Sequence, residues 1–345
     1  MRGNSELDVN QASCTPSWQI ELGPSEARAR QIDHRLRVRL ADSLEYLGRA
    51  AGVPREGHSG LDELIQRVRN KPISPWVSCL YSRVVYELSR TPRGDVEGAF
   101  DDLFHSGAAS SEQGIIALRS PLFEERWWDH FQVVLDTDRK RPFMPKSPNP
   151  ESFSRSAHEV GAALELLQEV DPAWHAELAT LLRMIVLAVP ASERQVDGFN
   201  GASTFFLWGA AILNAEPVRS VMSMVDVLVH EGSHLLLFGL SAEGPLMRNS
   251  GGERYASPVR ADERPIEGIF HACFVTTRVH CAFGRMLESG RLSDDIALEA
   301  TERRRANGEA ALISLQLLNE HMEPTEIGAR IYGRLQEYWT RTKPA

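Results

Sequence analysis

The sequence predicts a mainly α-helical fold with one small β element. Three observations carry that expectation. Apolar residues recur every three to four positions over several long stretches. The segment His230-Glu231-Gly232-Ser233-His234 lies inside one long and notably apolar stretch, between VDVLV and LLLF. Only residues 196–215, VDGFNGASTFFLWGAAILNA, mix Gly, Asn, Ser and Thr with β-formers, as a short strand or hairpin does.

Taken in order, residues 1–25 are polar and aperiodic, with Pro16 and Pro24, and predict an irregular arm. Helical spacing predicts a first helix over 26–52, ended by Gly52. Two more are expected over 60–70 and 75–90, the latter with Pro75 in its first turn. Residues 111–137 contain Trp127 and Trp128, read as core aromatics. Residues 138–153 hold four prolines and several charges, the composition of a linker. They predict a division into an N-terminal helical region, 1–150, able to bind a peptide or dimerise, and a second domain, 151–345, that contains the His230–His234 segment. Residues 154–189 predict two helices broken near Asp171-Pro172, the second of them buried. A long apolar helix follows over 218–240, then a polar loop. Pro265 opens a helix running to about Leu287, and two more close the chain near 294–320 and 324–341. No internal repeat is visible.

The chain has 345 residues, 42% hydrophobic and 25% charged, enough for a sizeable core. A net charge of −9 gains nothing from counterion release, so nucleic acid is not the expected partner. No basic run suggests an anionic membrane. No signal-peptide core is expected at the N-terminus, and no apolar run of the roughly 18 residues that span a bilayer. Cys14, Cys79, Cys273 and Cys281 have neither zinc-knuckle nor disulfide-framework spacing. Together these features predict a soluble cytoplasmic protein with reduced thiols.

His230 and His234 are four apart, which puts both imidazoles on one helical face and within reach of one ion. Ionisable groups in so apolar a helix need a reason to be there. A third ligand is expected from the next helix, where Glu267 and His271 are again four apart; His280 falls on another face. With Glu267, the set is that of a zinc peptidase, with Glu231 as general base. Three histidines, or two and a carboxylate, also suit non-haem Fe(II) with open positions for a 2-oxo acid and O2. The distal carboxylate of such an acid needs a cation, and the intervening loop offers Arg254, Arg260 and Arg264.

The run LVHEGSHLLLF followed by RYASPVRADERPIEGIFHACFV resembles the HExxH-type peptide β-hydroxylases. These are 2-oxoglutarate- and iron-dependent enzymes that modify ribosomally synthesised peptides. The upstream segment ALELLQEVDPAWHAELATLLRMIVLAVP is similar to that family too, so the resemblance covers about 155–290. It implies a helical fold with a zincin-like HExxH helix. It also implies that His230, His234 and His271 hold Fe(II), and that Arg260 or Arg264 holds 2-oxoglutarate. In the family a bulky aromatic precedes the loop arginine, where this chain has Val259. The implied reaction uses O2 and 2-oxoglutarate to hydroxylate the β-carbon of an Asp, Asn or His residue in a precursor peptide. Glu231 then orients a ligand or a water from the second shell. GASTFFLWGAAIL could take the peptide backbone as an added strand, with Asn200, Ser203 and Thr204 lining the site. The alternatives are a zinc metallopeptidase and a non-catalytic peptide-binding protein.

Overall fold

Polar caps start the helices and set their directions. The computed structural model describes residues 20–52, 59–92, 94–108, 114–118, 127–135, 145–191, 199–260 and 262–342. Ser25 caps α1 (Glu26–Ala51) by accepting from Arg28 N at 3.2 Å, and Gly52 ends it in the left-handed region, φ 75°. Helices α2 (Ser59–Asn70), α3 (Pro75–Ser89), α4 (Val96–Ala108) and α5 (Trp128–Leu135) follow. Asn149 caps α6 (Pro150–Val170), and Asp171 caps α7 (Pro172–Leu181). Ser220 caps α8 (Val221–Leu240), and Pro265 precedes α9 (Ile266–Glu288). Helices α10 (Asp294–His321) and α11 (Glu326–Arg341) close the fold. The protein is mainly helical, with a small mixed sheet, as the periodicity predicts.

That sheet holds β1 (Gly114–Ala117), β3 (Met184–Pro190), β5 (Ala210–Asn214) and β4 (Gly201–Ala202) in the order β1-β3-β5-β4, with β2 (Pro145–Lys146) antiparallel to the end of β3. Strands β1, β3 and β5 are parallel, whereas β4 and β5 form the antiparallel hairpin expected within 196–215. Alternation along the central strands divides the interior. Ile185, Leu187, Ala211 and Leu213 face the core built from α6–α11 and the start of α1. Met184, Val186, Ala188, Ala210 and Ile212 face a second core with α2–α5 and the later part of α1. Residues from both sides of position 150 therefore share one sheet and one core.

The sequence reading differs from the structure in places. The second helix expected to run to 189 stops at Leu181, and MIVLAVP is the central strand β3. A strand covered on both faces is continuously apolar and has lost the alternation that marks a half-exposed one. Helix α4 and strand β1 were not expected at all. Most of the arm (1–19), including Cys14, and residues 138–144 of the expected linker lie outside the described residues. Trp127 is 3% exposed and packs 6.2 Å from the Trp76 ring, a core aromatic as read. One helix, α8, does reach the length and apolarity of a bilayer span, contrary to the reading above, but 61% of that window is buried by the protein itself.

Two buried polar networks tie these layers together. Asp33 of α1 accepts from Arg37 Nε (2.9 Å), Arg183 Nη1 (2.8 Å) and Trp208 Nε1 (3.0 Å). Burial by itself would raise its pKa, but the Arg183 charge and the bonds from Arg37 and Trp208 outweigh it and hold the carboxyl below its ordinary value. A depressed native pKa contributes stability above the unfolded value of about 3.9 and loses it as pH falls. Acid denaturation below about pH 4 should therefore be shallower in Asp33→Asn than in the wild type. Superimposable acid limbs would contradict this account. The second network reaches the motif helix.

Candidate metal centre

The helical repeat brings His230 and His234 together on α8, with ring centroids 4.9 Å apart and Nε2 atoms 3.2 Å apart. Helix α9 packs against α8 and supplies His271, whose Nδ1 lies 3.3 Å from His234 Nδ1. Each ring is half-buried. Phe238, one turn beyond His234, packs against both His234 (6.2 Å) and His271 (5.3 Å) and forms an apolar wall. Burial pushes the His230 and His271 pKa values down to about 4. His234 is held well below its usual value by burial first, then by His230, His271 and Arg260. All three rings are neutral at pH 7, the state in which imidazole presents a lone pair to a metal.

Two ligand nitrogens each about 2.1 Å from one ion sit about 3.0–3.4 Å apart, so the spacing of the rings suits a shared ion. Their orientation is less complete. His234 touches its neighbours through opposite nitrogens, and one ion can take only one of these. Accordingly, among the described residues no group of three His, Cys, Asp or Glu side chains stands arranged around one point. The donor set fits an ion in kind: three neutral imidazoles, two from α8 and one from α9, with His234 next to each of the others. Glu267 is exposed on the first turn of α9, so His271 rather than Glu267 is the residue brought to the pair. His280 faces elsewhere, its Nδ1 2.6 Å from Tyr338 OH.

Glu231 is 3% exposed and accepts from Ser203 Oγ at 2.7 Å. Burial raises its pKa to about 7, opposed by the Ser203 bond and the Arg260 charge. The carboxylate lies under β4, where a Cβ on Gly201 would come within 2.5 Å of its Oε1. Gly201→Ala should therefore displace Glu231 and cost about 1–3 kcal/mol, read as a lower denaturation midpoint. An unchanged midpoint would mean that the contact is slack. Thr204 instead caps the 3-10 turn Phe205–Leu207, its Oγ1 accepting from Phe206 N at 3.4 Å. Asn200 Oδ1 accepts from Arg219 at 3.4 Å, so its side chain serves the start of α8 rather than the histidines.

The arginines separate as well. The loop after α8 is pinned at a neck, where Tyr255 and Arg264 exchange two backbone hydrogen bonds of 2.8 Å. Arg264 Nε lies 3.0 Å from Asp262 Oδ2. Arg260, between the two neck residues, is the loop arginine whose charge acts on His230, Glu231 and His234. Arg254 is exposed, next to the neck.

Sequence reasoning missed the support under the motif. Ser233 Oγ accepts from Arg278 Nε at 3.0 Å. The Arg278 guanidinium is fully buried, lies 4.5 Å from the Trp174 ring centroid, and pairs with Glu177, which also takes Arg28 Nη2 at 2.7 Å. Arg278 thus joins α7, α8, α9 and the 20–25 strap. The signal was there: an arginine within FVTTRVHCAF is a charge in an apolar run. A cleft of about 730 Å³ beside α1 and α7 is lined by Arg30, His34, His175 and Arg183 and includes none of the candidate residues.

A scan of protein-family models and a search of curated proteins each return no match for this chain.

Proposed function

We propose that this protein is an Fe(II)- and 2-oxoglutarate-dependent oxygenase that hydroxylates the β-carbon of an Asp, Asn or His residue in a ribosomally synthesised peptide. The observation that carries the reading is the cluster of three neutral imidazoles on two packed helices, with the Arg260 charge beside it. His230, His234 and His271 would hold the iron. Bound there, Fe(II) supplies the chemistry by which O2 is reduced, 2-oxoglutarate is decarboxylated to succinate and one oxygen atom enters a C–H bond.

The chain's own residues bind and orient. Phe238 packs on two of the three rings and limits water on that side. Arg260 offers a cation to the distal carboxylate of the oxo acid. Arg264 closes the loop neck and faces Asp262, a supporting role. Glu231, held by Ser203, offsets the charge of Arg260 and ties β4 to the motif helix. On this reading, Arg260→Met raises the KM for 2-oxoglutarate by about 10-fold or more, while Arg264→Met acts mainly on stability. Equal KM values for Arg260→Met and wild type would remove Arg260 from the co-substrate site.

One feature favours hydrolysis as a second reading. Glu231 follows His230 directly and carries a raised pKa, as a general base beside zinc would. Incubation in air with Fe(II), 2-oxoglutarate and a candidate precursor peptide separates the two by mass spectrometry. The oxygenase adds one oxygen atom, whereas the peptidase cleaves the backbone with zinc and needs no oxo acid.

A further inference from the structure

Strand β4 ends the sheet, and among the described residues nothing pairs with its outer edge. Its register against β5 decides which backbone groups that edge presents. Asn214 N donates to Asn200 O at 3.1 Å, and Gly201 stands opposite Leu213. In an antiparallel ladder this makes Gly201 the residue whose N–H and C=O turn away from β5. Ser203 follows directly after the end of β4. The Cβ direction of Gly201 and the Ser203 hydroxyl both meet Glu231. This outer edge of β4 therefore passes directly over Glu231, the residue that follows His230. Backbone N–H and C=O groups so placed call for a backbone partner.

Just beyond, the 3-10 turn carries Phe205 and Phe206, 40% and 48% exposed, with ring centroids 6.1 Å apart in an edge-to-face pair. The turn packs on α8 and α3, so the two rings stand on a fixed support. In the loop after α8, Val259 beside Arg260 is 42% exposed. Large apolar side chains bared at the rim of a site mark where a ligand's apolar group sits.

We propose that the edge of β4 takes the substrate peptide as an added strand through Gly201 and Ser203, and that Phe205 and Phe206 form a subsite for a bulky apolar side chain of that peptide. The proposal rests on the peptide-oxygenase reading and adds its specificity determinant. Because strand pairing fixes the register of the bound peptide, the apolar side chain lies at one set offset from the residue presented to the histidines. Backbone pairing supplies affinity without sequence preference, and the aromatic pair supplies selection.

The test uses the full chain loaded with Fe(II) and 2-oxoglutarate under anaerobic conditions, so that capture is read without turnover. The probe is a displayed library of random peptides with a fixed central aspartate. The expected result is enrichment of aromatic or large aliphatic residues at one offset from that aspartate. The enrichment is lost in Phe205→Ser/Phe206→Ser, whose exposed positions leave folding and Fe(II) loading intact. N-methylation along a selected peptide should lower affinity by about 10-fold at alternate positions only, the period of a paired strand. No capture by a chain that binds Fe(II), enrichment unchanged in the double variant, or tolerance of N-methylation at every position would each overturn the proposal. Selective capture by a chain that forms no succinate would support the subsite and overturn the oxygenase reading, so the two fail separately.

Discussion

Replacing His234 with alanine is expected to abolish stable Fe(II) binding while leaving the fold intact. His234 is the ring that touches both of the others, 3.2 Å from His230 and 3.3 Å from His271, so its loss leaves two donors with no shared neighbour. Ligands weigh at least as heavily as the outer-shell partners whose removal costs up to about 100-fold in metal affinity, so a loss of that order or more is expected. The ring is half-buried, and the helix beneath it is held by a broad apolar face, so the far-ultraviolet dichroism spectrum should not change. Metal content after anaerobic loading and gel filtration reads the effect. Glu267→Ala should load normally, because Glu267 is exposed while His271 adjoins the pair. Full loading of His234→Ala would dissolve the proposed centre and leave a hydrogen-bonded chain of structural histidines.

Glu177→Ala should be the most destabilising of the single substitutions considered. Its carboxylate is shared by Arg278 and Arg28, and all three groups lie within the core. Removing it leaves two guanidinium groups buried without their counter-ion, a class of change that costs about 3–5 kcal/mol. Burial already lowers the Arg278 pKa to about 10 despite the Glu177 charge. Urea denaturation reads the loss directly. A change below about 1 kcal/mol would mean that the network is replaceable by water or relaxation. Because Arg278 also donates to Ser233 of the motif, metal affinity should fall with stability in this variant.

Much of the fold was legible from periodicity and punctuation. Helices α8 and α9 stand out because apolar spacing, Ser220, Pro265 and the motif agree. The β4–β5 hairpin showed through its Gly, Asn, Ser and Thr content. Strand β3 did not show, since burial on both faces makes MIVLAVP equally apolar at every position. In α4, two glycines and two aspartates within VEGAFDDLFHSGA mask a helix that tertiary packing completes. At the site, spacing alone singled out His230 and His234, while the choice between Glu267 and His271 depended on how α9 meets α8. Nothing local distinguishes Arg260 from Arg264; the neck places Arg264 at the base of the loop and Arg260 within it, and it is the Arg260 charge that acts on His230, Glu231 and His234. Thr204 follows Ser203 directly and Asn200 stands three residues before it, yet of the three only Ser203 reaches the motif.

The central claim is that three imidazoles and Arg260 hold iron and 2-oxoglutarate for reaction with O2. The most direct measurement is succinate formation by the full chain given Fe(II) and 2-oxoglutarate in air, with His234→Ala alongside. The account predicts succinate in step with O2 consumption for the wild type, raised by the substrate peptide, and none above background for the variant. Iron-loaded wild type that forms no succinate, with or without peptide, would contradict it.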